Sequence, residues 1–500
     1  MTTFYWHDYE TFGLNRRLDR PVQFAGQRTD EHFNPIGEAD VWYCKPTLDY
    51  LPQPQACLVT GITPQQAWTK GMCEARFAEN VFEVMNQPGT VSIGYNSLRF
   101  DDEVSRHLFW RNFYDPYQRE WSQGCSRWDL FPFVLAVWAL RPEGICWPTV
   151  VSEKDGRKER VSFRLEHLSQ ANNLEHSHAH DAGSDVQATI ALARLLSQKQ
   201  PRLWDWALKN RTKEAVIAAL GSGRPCVWID PFAGQEKGFI RVVMPLSVNP
   251  HNKNEYFVWD LAHDPSELVG MTPETIARRA FGPKDDMLEG EEKLPLHAVK
   301  VNAAPFVCNT LGILNASVCE RFGLDLQRYV KHGDLLTKLH AQLEGPVLLA
   351  KESVGEPSCG ESDADAALYD GFVGYADKAA MQRLHALSPE TLAEHVREGR
   401  LYFDDPRLTE LLKRYRARNW PETLDEQEQA QWLEHCRHRL HCGIEGMQTI
   451  EGFFNDIDEM AQQDEERLEA GTLTQEAFER RQEILSALYD WAEFVAQATE

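Results

Sequence analysis

The sequence predicts an α/β fold over about its first 200 residues, followed by a small β-rich part and a helical part. In the first part, short runs rich in β-branched and aromatic residues alternate with amphipathic stretches of helical period. Between about residues 220 and 350, short apolar runs alternate with Gly, Pro and Asn turns, which is typical of a small barrel or sandwich. From about residue 366 the chain is charged and has helical periodicity.

Local signals predict the elements of the α/β part. Thr63 followed by Pro64 is typical of a helix start, with Thr as the N-cap and Pro at the first helical position. The stretch 77–85 is amphipathic, and the stretch 184–196 has apolar residues at helical spacing and closes this part. Strands are predicted at 4–13, 22–25, 41–44 and 90–95.

Two stretches are predicted to separate the domains. Residues 198–201 mark a boundary, and residues 354–364 are polar with two Gly and a Pro, as in a linker. Within the β-rich part, strands are predicted at 225–229, 240–244 and 256–260. The predicted domains are therefore 1–200, 201–353 and 365–500.

Composition restricts the classes of function. The chain has 500 residues, a formal net charge of −24 and a pI near 5.2. Such acidity argues against a protein that coats nucleic acid, but it is compatible with a nuclease that holds metal ions. The 11 cysteines are scattered, and the sequence shows neither a signal peptide nor an apolar run of membrane-spanning length. We therefore expect a cytoplasmic protein with reduced thiols.

The first predicted strand carries two acidic residues, Asp8 and Glu10. Residues two apart on a strand point to the same face, so the two carboxylates lie side by side. A shared divalent cation would relieve their repulsion, and hard oxygen ligands suit Mg²⁺ or Mn²⁺. The alternative interpretation is a surface strand with an acidic edge.

Further acidic residues follow at two later turns. Asp101 comes after a predicted strand, where it can complete the metal site or cap a helix. Asp181 is predicted to cap the next helix, which leaves Asp185 on its first turns. His180 then lies on the preceding loop, where an imidazole can act as a general base. The alternative for this histidine-rich loop is a zinc site, although the sequence offers no nearby Cys or His quartet.

The order of these residues resembles the DEDDh exonuclease superfamily, with the motifs Asp-x-Glu, Asn-x-x-x-Phe-Asp and His-x-x-x-x-Asp. The stretches HDYETFG, YLPQPQACLVTGITPQQA, RFDDEVSRHLFWRNFYDPY and AHDAGSDV are similar to bacterial exonuclease I, which degrades single-stranded DNA from its 3′ end. Weaker resemblance continues through LYDGFVGYADKAAM and RYRARNWPETLDEQEQAQWLEH. The charged stretch 149–160 departs from the family as an apparent insertion near Arg164.

The resemblance implies a ribonuclease H-like exonuclease domain, a Src-homology-3-like β-barrel and a C-terminal helical domain, together forming a C-shaped clamp. It implies two Mg²⁺ ions, for which Mn²⁺ can substitute, and a product released as nucleoside 5′-monophosphates. His180 would act as the general base. The metal ligands implied by motif match are Asp8, Glu10, Asp101 and Asp185.

The resemblance also implies where single-stranded DNA binds. Besides Glu10, the candidates are Arg106, Tyr117, Trp121 and Arg164, whose side chains suit phosphates or base faces. Three arginines of the RYRARN stretch, Arg414, Arg416 and Arg418, either line the DNA channel or are ordinary surface charges on a helix.

The family is also known to bind the acidic C-terminal tail of the single-stranded-DNA-binding protein. Arg141 and Trp206 are the candidates for that pocket, since they offer a cation and an apolar wall. A monomer without membrane contact is expected. The stretch 435–442 has zinc-like residue types, but its helical spacing does not put four ligands on one face, so we interpret it as helix surface.

The predicted function is metal-dependent, processive 3′-to-5′ hydrolysis of single-stranded DNA, in DNA repair and recombination. Two alternatives remain. One is a 3′-to-5′ exoribonuclease with the same acidic residues, and the other is a non-catalytic adaptor that binds single strands.

Overall fold

A computed structural model describes residues 2–152, 158–174, 181–354 and 362–499. The chain forms two compact units. The first comprises Met1–Ser126, His176–Gln187 and Cys359–Glu500, and the second comprises Arg127–Glu175 and Ala188–Ser358. The last part of the chain thus belongs to the same unit as its first part, and the predicted boundary at 198–201 lies inside the second unit.

The first unit contains four strands of a mixed sheet: β1 (Thr3–Thr11), β2 (Pro21–Thr29), β3 (Asp40–Tyr43) and β4 (Thr90–Gly94). They lie in the order β3-β2-β1-β4. β2 pairs antiparallel with both β1 and β3, whereas β4 lies parallel to β1. Each of these strands overlaps a strand predicted from the sequence.

Four helices follow between residues 54 and 111: α1 (Pro54–Thr60), α2 (Pro64–Lys70), α3 (Glu74–Met85) and α4 (Asp101–Arg111). The Thr63 side chain accepts a hydrogen bond from the Gln66 N–H, and Pro64 takes the first helical position, as predicted. Residues of α3 and α4 pack against one face of the sheet, where Tyr9 and Phe24 are buried. This face carries one of the buried cores of the first unit.

Residues 126–354 contain β5 (Ser126–Asp129), α5 (Leu130–Leu140), β6 (Thr149–Ser152), β7 (Lys158–Val161), α6 (Leu165–Ala171), α7 (Ala182–Lys199), α8 (Pro201–Asn210), α9 (Lys213–Leu220), β8 (Cys226–Ile229), β9 (Ile240–Val248), β10 (Glu255–Asp260), α10 (Pro273–Ile276), β11 (Leu296–Lys300), β12 (Val307–Cys308), α11 (Ala316–Phe322) and α12 (Leu326–Val354). A five-stranded sheet runs in the order β11-β10-β9-β8-β12, and its pairings are antiparallel. Val243 and Val258 lie in its core, which confirms the predicted β-rich part. β6 and β7 pair antiparallel within the predicted insertion.

The rest of the first unit is helical: α13 (Tyr375–Leu384), α14 (Pro389–Arg397), α15 (Pro406–Asn419), α16 (Glu426–Cys442), α17 (Ile450–Glu469) and α18 (Gln475–Thr499). Leu488 and Val495 of α18 share a buried core with Phe12 and Tyr50 from the beginning of the chain. The C-terminal helices are therefore joined to the N-terminal part by apolar packing. Among the described residues, none of the helices combines the length and the apolar character that crossing a membrane requires.

A buried ionic network also joins the two ends of the chain. Arg418 binds Asp49 at 2.6 Å and Asp365 at 2.7 Å. Asp365 also binds Arg20 at 2.8 Å and Arg439 at 3.0 Å. We call these five residues the ionic network. Each of these charges therefore faces an opposite charge at hydrogen-bonding distance within the protein.

Ion pairs of the three RYRARN arginines correct one of the two sequence interpretations, that of ordinary surface charges. Arg414 is buried and binds Asp363 at 2.7 Å, and Arg416 is buried and binds Glu428 at 3.0 Å. Like Arg418, they are ion-pair partners rather than ordinary surface charges, and a place along the DNA channel stays a prediction. The sequence does not reveal this, because their carboxylate partners come from separate elements.

Candidate active site

β1 places Asp8 and Glu10 on one face of the sheet. Tyr5 and Tyr9 point to the opposite face, where their rings pack against Phe24 at centroid distances of 6.3 and 4.9 Å. Since side chains alternate along a strand, the buried aromatic residues hold the register that leaves both carboxylates on the other face. Glu10 is buried and Asp8 is half-buried.

Asp101 is the first residue of α4, directly after the turn that follows β4. A Cβ at Gly94 would lie only 2.6 Å from the Cβ of Ser97, so this turn requires glycine. Asn96 adopts a left-handed backbone with φ of 61°, a conformation that Asn tolerates. The Tyr9 N–H donates to Asp101 Oδ1 at 3.2 Å, which ties the start of α4 to the acidic strand.

The first turn of α7 carries Asp185. Asp181 Oδ1 accepts hydrogen bonds from the backbone N–H groups of Gly183 at 3.0 Å and Ser184 at 3.2 Å, so Asp181 caps this helix as predicted. Asp185 follows within the first turn. His180 lies outside the described residues, and its role as a general base stays a prediction.

Asp8, Glu10 and Asp185 come together although 175 positions separate Glu10 from Asp185 in the sequence. One carboxylate oxygen from each lies within 4.8 Å of the others, close enough for one cation to touch all three. Within the described part of the chain, no other group of His, Cys, Asp and Glu residues meets this condition. We call these three residues and Asp101 the acidic cluster.

Electrostatics link Asp101 to the other three carboxylates. Burial raises the pKa of Asp8 well above its ordinary value, and the carboxylates of Asp101 and Glu10 raise it further. Burial, followed by the charges of Asp185 and Asp101, raises the pKa of Glu10 to about 8. Burial and mutual repulsion together thus raise the pKa of both carboxyls, as is common where acidic groups converge at a functional site.

The acidic cluster fits divalent metal ions. Its donors are hard carboxylate oxygens, which Mg²⁺, Mn²⁺ and Ca²⁺ prefer over the sulfur and nitrogen ligands of a structural zinc site. The three oxygens converge within a few ångströms, and a bound cation would remove the repulsion that raises their pKa values. The cluster therefore fits divalent cations, which its carboxylates would hold, better than it fits an acidic surface edge.

Two predicted DNA contacts, Tyr117 and Trp121, line a large cavity within the first unit. We call it the aromatic cavity; its volume is about 770 Å³. Trp121 is 69% exposed, and its ring is available for stacking. Sequence reasoning missed Tyr369 and Phe372, which line the same cavity, with Phe372 fully exposed. Both lie in the stretch LYDGFVGYADKAAM, and its resemblance to the family was the signal that could have identified them from the sequence.

Arg106, another predicted DNA contact, is engaged inside the protein. Its guanidinium binds Glu103 at 2.6 Å and Glu120 at 2.8 Å, and it lies over the Tyr117 ring. It also donates to the Tyr369 hydroxyl at 3.3 Å. Arg106 therefore holds the wall of the aromatic cavity together, and a direct contact with DNA stays a prediction.

The remaining predicted binding residues lie in the second unit. Arg164 is exposed and directly precedes α6. Arg141 donates to the backbone carbonyl of Ile313 at 3.2 Å, and the Trp206 ring packs against Phe306 at a centroid distance of 5.0 Å. DNA binding by Arg164 and tail binding by Arg141 and Trp206 stay predictions.

The zinc alternative at 435–442 is not supported by the geometry. These residues form the end of α16, where Cys436 is buried and Cys442 is exposed. His435 stacks on Trp432 at 5.2 Å and faces Asp49. Among the described residues, these side chains do not converge on a shared point as Asp8, Glu10 and Asp185 do.

The fold and the acidic cluster together define an exonuclease, and sequence comparison agrees. A family model described as "Exonuclease" matches residues 5–193. Models described as "Exonuclease I SH3-like domain" and "Exonuclease I C-terminal domain" match residues 211–347 and 362–495. The chain belongs to the exonuclease I family. This confirms the predicted succession of an exonuclease domain, an SH3-like barrel and a helical domain.

Curated relatives and solved structures support the same assignment. Exodeoxyribonuclease I of Escherichia coli K12 is 40% identical over 486 residues, covering 97% of this chain and 98% of the relative. The enzyme of the same name from Haemophilus influenzae is 40% identical over 442 residues, covering 88% of this chain and 90% of the relative. The crystal structure of E. coli exonuclease I with a dA16 oligonucleotide matches with a TM-score of 0.88 and 39% identity, over 99% of this chain and 100% of that one. Exonuclease I of Methylocaldum szegediense matches with a TM-score of 0.86 and 39% identity, over 99% of this chain and 100% of that one.

Proposed function

We propose that this protein is a metal-dependent exodeoxyribonuclease that removes nucleotides from the 3′ end of single-stranded DNA. The observation that carries the proposal is the convergence of Asp8, Glu10 and Asp185 in a chain of the exonuclease I family. Relatives along nearly the whole chain are named exodeoxyribonuclease I, and E. coli exonuclease I has been solved with single-stranded oligonucleotides. Processive degradation, with a role in DNA repair and recombination, is part of the proposal.

The acidic cluster is proposed to hold two Mg²⁺ ions, for which Mn²⁺ can substitute. Divalent cations at such a site lower the pKa of a nucleophilic water and neutralise charge on the departing oxygen. The contribution of this chain is to converge its carboxylates on rigid elements: Asp8 and Glu10 on β1, Asp101 on α4 and Asp185 on α7. Because strand and helix starts position them, the ligand oxygens are organised before substrate arrives.

His180 is proposed to accept the proton of the attacking water. Its motif position is five residues before Asp185, and only Asp181 and the start of α7 lie between it and the cluster in sequence. An imidazole has an ordinary pKa near neutrality, so it can accept and release a proton at working pH. The products would be nucleoside 5′-monophosphates.

Single-stranded DNA is proposed to use the aromatic cavity. Stacking on aromatic rings accepts any base, which suits a nuclease without sequence preference. Trp121 and Phe372 are the exposed rings, and Tyr117 and Tyr369 form the wall behind them. Glu10 and Arg164 are proposed to contact the substrate by motif match, the latter through a phosphate.

Three finer assignments complete the proposal. The first is that the domains of the protein span residues 1–200, 201–353 and 365–500. Family-model matches at 5–193, 211–347 and 362–495 support this division. Arg141 and Trp206 bind the acidic C-terminal tail of the single-stranded-DNA-binding protein. The protein works as a cytoplasmic monomer. A tail-peptide binding assay with Arg141→Ala tests the second assignment, since equal affinity would remove it.

One digestion experiment tests the main proposal. Single-stranded DNA, duplex DNA and RNA of matched sequence, each labelled at the 5′ end, are incubated with the protein with and without Mg²⁺. We expect single-stranded DNA alone to be shortened from its unlabelled 3′ end, only with Mg²⁺, with few products of intermediate length, and we expect a chelator to stop the reaction. Preferential cutting of RNA would identify an exoribonuclease, and binding without cutting would identify an adaptor.

A further inference from the structure

Gln23 is the third residue of β2, the strand that lies between the acidic strand β1 and β3. Its direct cross-strand partners are Glu10 on β1 and Tyr43 on β3. Directly opposed residues share a face of the sheet, so Gln23 lies on the same face as the acidic pair. The Gln23 side chain is 1% exposed, and a buried amide requires partners at both of its polar ends.

Both ends of the Gln23 amide are engaged. Its Nε2 donates to the Tyr43 hydroxyl at 2.9 Å. Its Oε1 accepts a hydrogen bond from the backbone N–H of Ala182 at 3.3 Å. Ala182 is the first residue of α7, the helix that carries Asp185. The amide therefore links the sheet, at the position beside Glu10, to the start of that helix.

The first N–H groups of a helix have no partner within the helix. In α7, Gln23 accepts the N–H of Ala182, and Asp181 accepts those of Gly183 and Ser184. Asp181 is a local cap, because it belongs to the same segment as the helix and moves with it. Gln23 belongs to a different element, so its hydrogen bond fixes where the helix start lies on the sheet.

Close packing shows that the helix start is docked on this face. A Cβ placed on Gly183 would lie 3.9 Å from Val41 of β3 and 3.1 Å from Asp181 Oδ1. A side chain at position 183 would thus be in ordinary van der Waals contact with the Val41 side chain, which places the start of α7 close to β3. Asp185 is one helical turn from Ala182, so a shift of this anchor displaces the Asp185 carboxylate from Glu10.

We propose that Gln23 is a positioning residue that sets the distance between Asp185 and Glu10, and thereby the affinity of the acidic cluster for divalent cations. The inference rests on the proposed metal-dependent function. Gln23 does not touch the cation or the substrate. It acts through the backbone of α7, while the Tyr43 hydroxyl fixes the orientation of its amide. A neutral amide suits this task, because it donates and accepts without adding a negative charge beside four carboxylates.

The test compares Gln23→Met with Gln27→Met. Methionine retains the approximate volume of glutamine and removes both hydrogen bonds. Gln27 lies on the same strand and face, is 5% exposed, and donates to the Arg28 carbonyl, away from α7. Mn²⁺ affinity is measured on each purified protein by electron paramagnetic resonance titration, and thermal melts with and without Mn²⁺ give a second readout.

We expect Gln23→Met to weaken Mn²⁺ binding by about 10–100-fold, the usual effect of losing a residue that orients a metal ligand. Its nuclease activity should recover towards wild type at high Mg²⁺, with an unchanged KM for DNA. Gln27→Met should retain wild-type Mn²⁺ affinity even if it lowers the melting temperature. Tyr43→Phe should weaken Mn²⁺ binding in the same direction but less.

A folded Gln23→Met variant with wild-type Mn²⁺ affinity would overturn the inference. If Gln23→Met does not fold, wild-type Mn²⁺ affinity in Tyr43→Phe would overturn it instead. Failure of the proposed function gives a different result, because wild-type protein would then neither bind Mn²⁺ nor cut DNA.

Discussion

The acidic cluster and the ionic network both bury carboxylates in the same compact unit, yet their pKa values move in opposite directions. In the cluster, burial and neighbouring carboxylates raise the pKa of Asp8 and of Glu10. In the network, burial alone would raise the pKa of Asp365, but Arg418 and other arginines hold it well below its usual range. The direction of the pKa shift therefore depends on the charges around the carboxylate rather than on how deeply the carboxylate is buried.

The opposite pKa shifts distinguish a group of charges that is paired within the protein from a site that requires a ligand. The ionic network supplies its own cations, so it joins the ends of the chain without help from solution. The acidic cluster gathers negative charge at a cost to folding, and a divalent cation from solution would balance that charge. Perturbed carboxylates of this second kind mark functional sites, whereas paired ones mark structure.

The largest expected effect removes one charge from the cluster. Asp185→Asn keeps the side-chain shape, but it should lower turnover by about 10³-fold or more, because metal-assisted charge stabilisation supplies several kcal/mol. Asp8→Ala should do the same, and single-strand binding should persist in both. Turnover is measured on labelled oligonucleotides with saturating Mg²⁺. The exposed Asp490→Asn serves as control, and near-wild-type turnover in Asp185→Asn would contradict the assignment.

His180→Ala separates proton transfer from cation binding. We expect turnover to fall by about 10²–10⁴-fold, the range for loss of a general base. Mn²⁺ affinity should stay within a few-fold of wild type, because the imidazole is not proposed as a ligand. Turnover measured against pH tests the role in proton transfer, and an Mn²⁺ titration tests cation binding. A variant that loses Mn²⁺ binding along with activity would assign His180 to the metal site instead.

Asp365→Asn tests the ionic network, whose charges are paired within the protein. Removing this carboxylate leaves Arg20, Arg418 and Arg439 short of a buried partner, so we expect a loss of about 3–5 kcal/mol in the free energy of unfolding. Urea unfolding measures it. Glu410→Gln, which removes a more exposed partner of Arg414, should cost less than about 1 kcal/mol. The Mn²⁺ affinity of folded Asp365→Asn should match wild type.

The two regions should also respond oppositely to pH. The folded-state pKa of Glu10 is raised to about 8, so ionising it opposes folding. Folding therefore favours the protonated Glu10 carboxyl. In metal-free protein, the contribution of Glu10 to stability is fully present below its unfolded-state pKa of about 4.3 and is lost as pH rises towards 8. We expect the free energy of unfolding to fall by a few kcal/mol, on the order of that shift, between pH 5 and 9.

Added Mg²⁺ should reverse most of that loss at pH 8–9 and have little effect near pH 5. The network carboxylates have lowered pKa values, so their stabilisation is present above their unfolded pKa near 4 and is lost below it. Melting temperatures across the pH range, with Mg²⁺ or with chelator, resolve the two windows. A metal-free protein that becomes more stable between pH 5 and 9 would contradict the raised pKa of Glu10.

The smallest expected effect concerns the predicted DNA contacts, where an ion-paired side chain is compared with an exposed one. Arg106 is satisfied by Glu103 and Glu120, whereas the Trp121 ring is exposed beside the aromatic cavity. Trp121→Ala should therefore weaken single-strand binding by about 1–3 kcal/mol, the contribution of one stacked base. Fluorescence anisotropy with a chelator present measures it without cleavage. Phe494→Ala, an exposed ring on α18, should leave the affinity unchanged.

Local patterns in the sequence determined a large part of the fold and the site. The period of two on β1 put Asp8 and Glu10 on one face, and the cap at Asp181 put Asp185 on the first turn of α7. The strands of the first unit and the β-rich part were predicted from composition and turn residues. Such signals are local, because they reflect backbone geometry within a few residues.

Only the tertiary structure decided which charges meet. Arg20 and Asp365 are 345 residues apart, and neither is marked by its neighbours as a partner of the other. The same holds for the burial of Arg414 and Arg416, for Tyr369 and Phe372 beside the aromatic cavity, and for Gln23 beneath the start of α7. Burial and long-range pairing arise when separate elements pack, and a single sequence carries no local pattern for either.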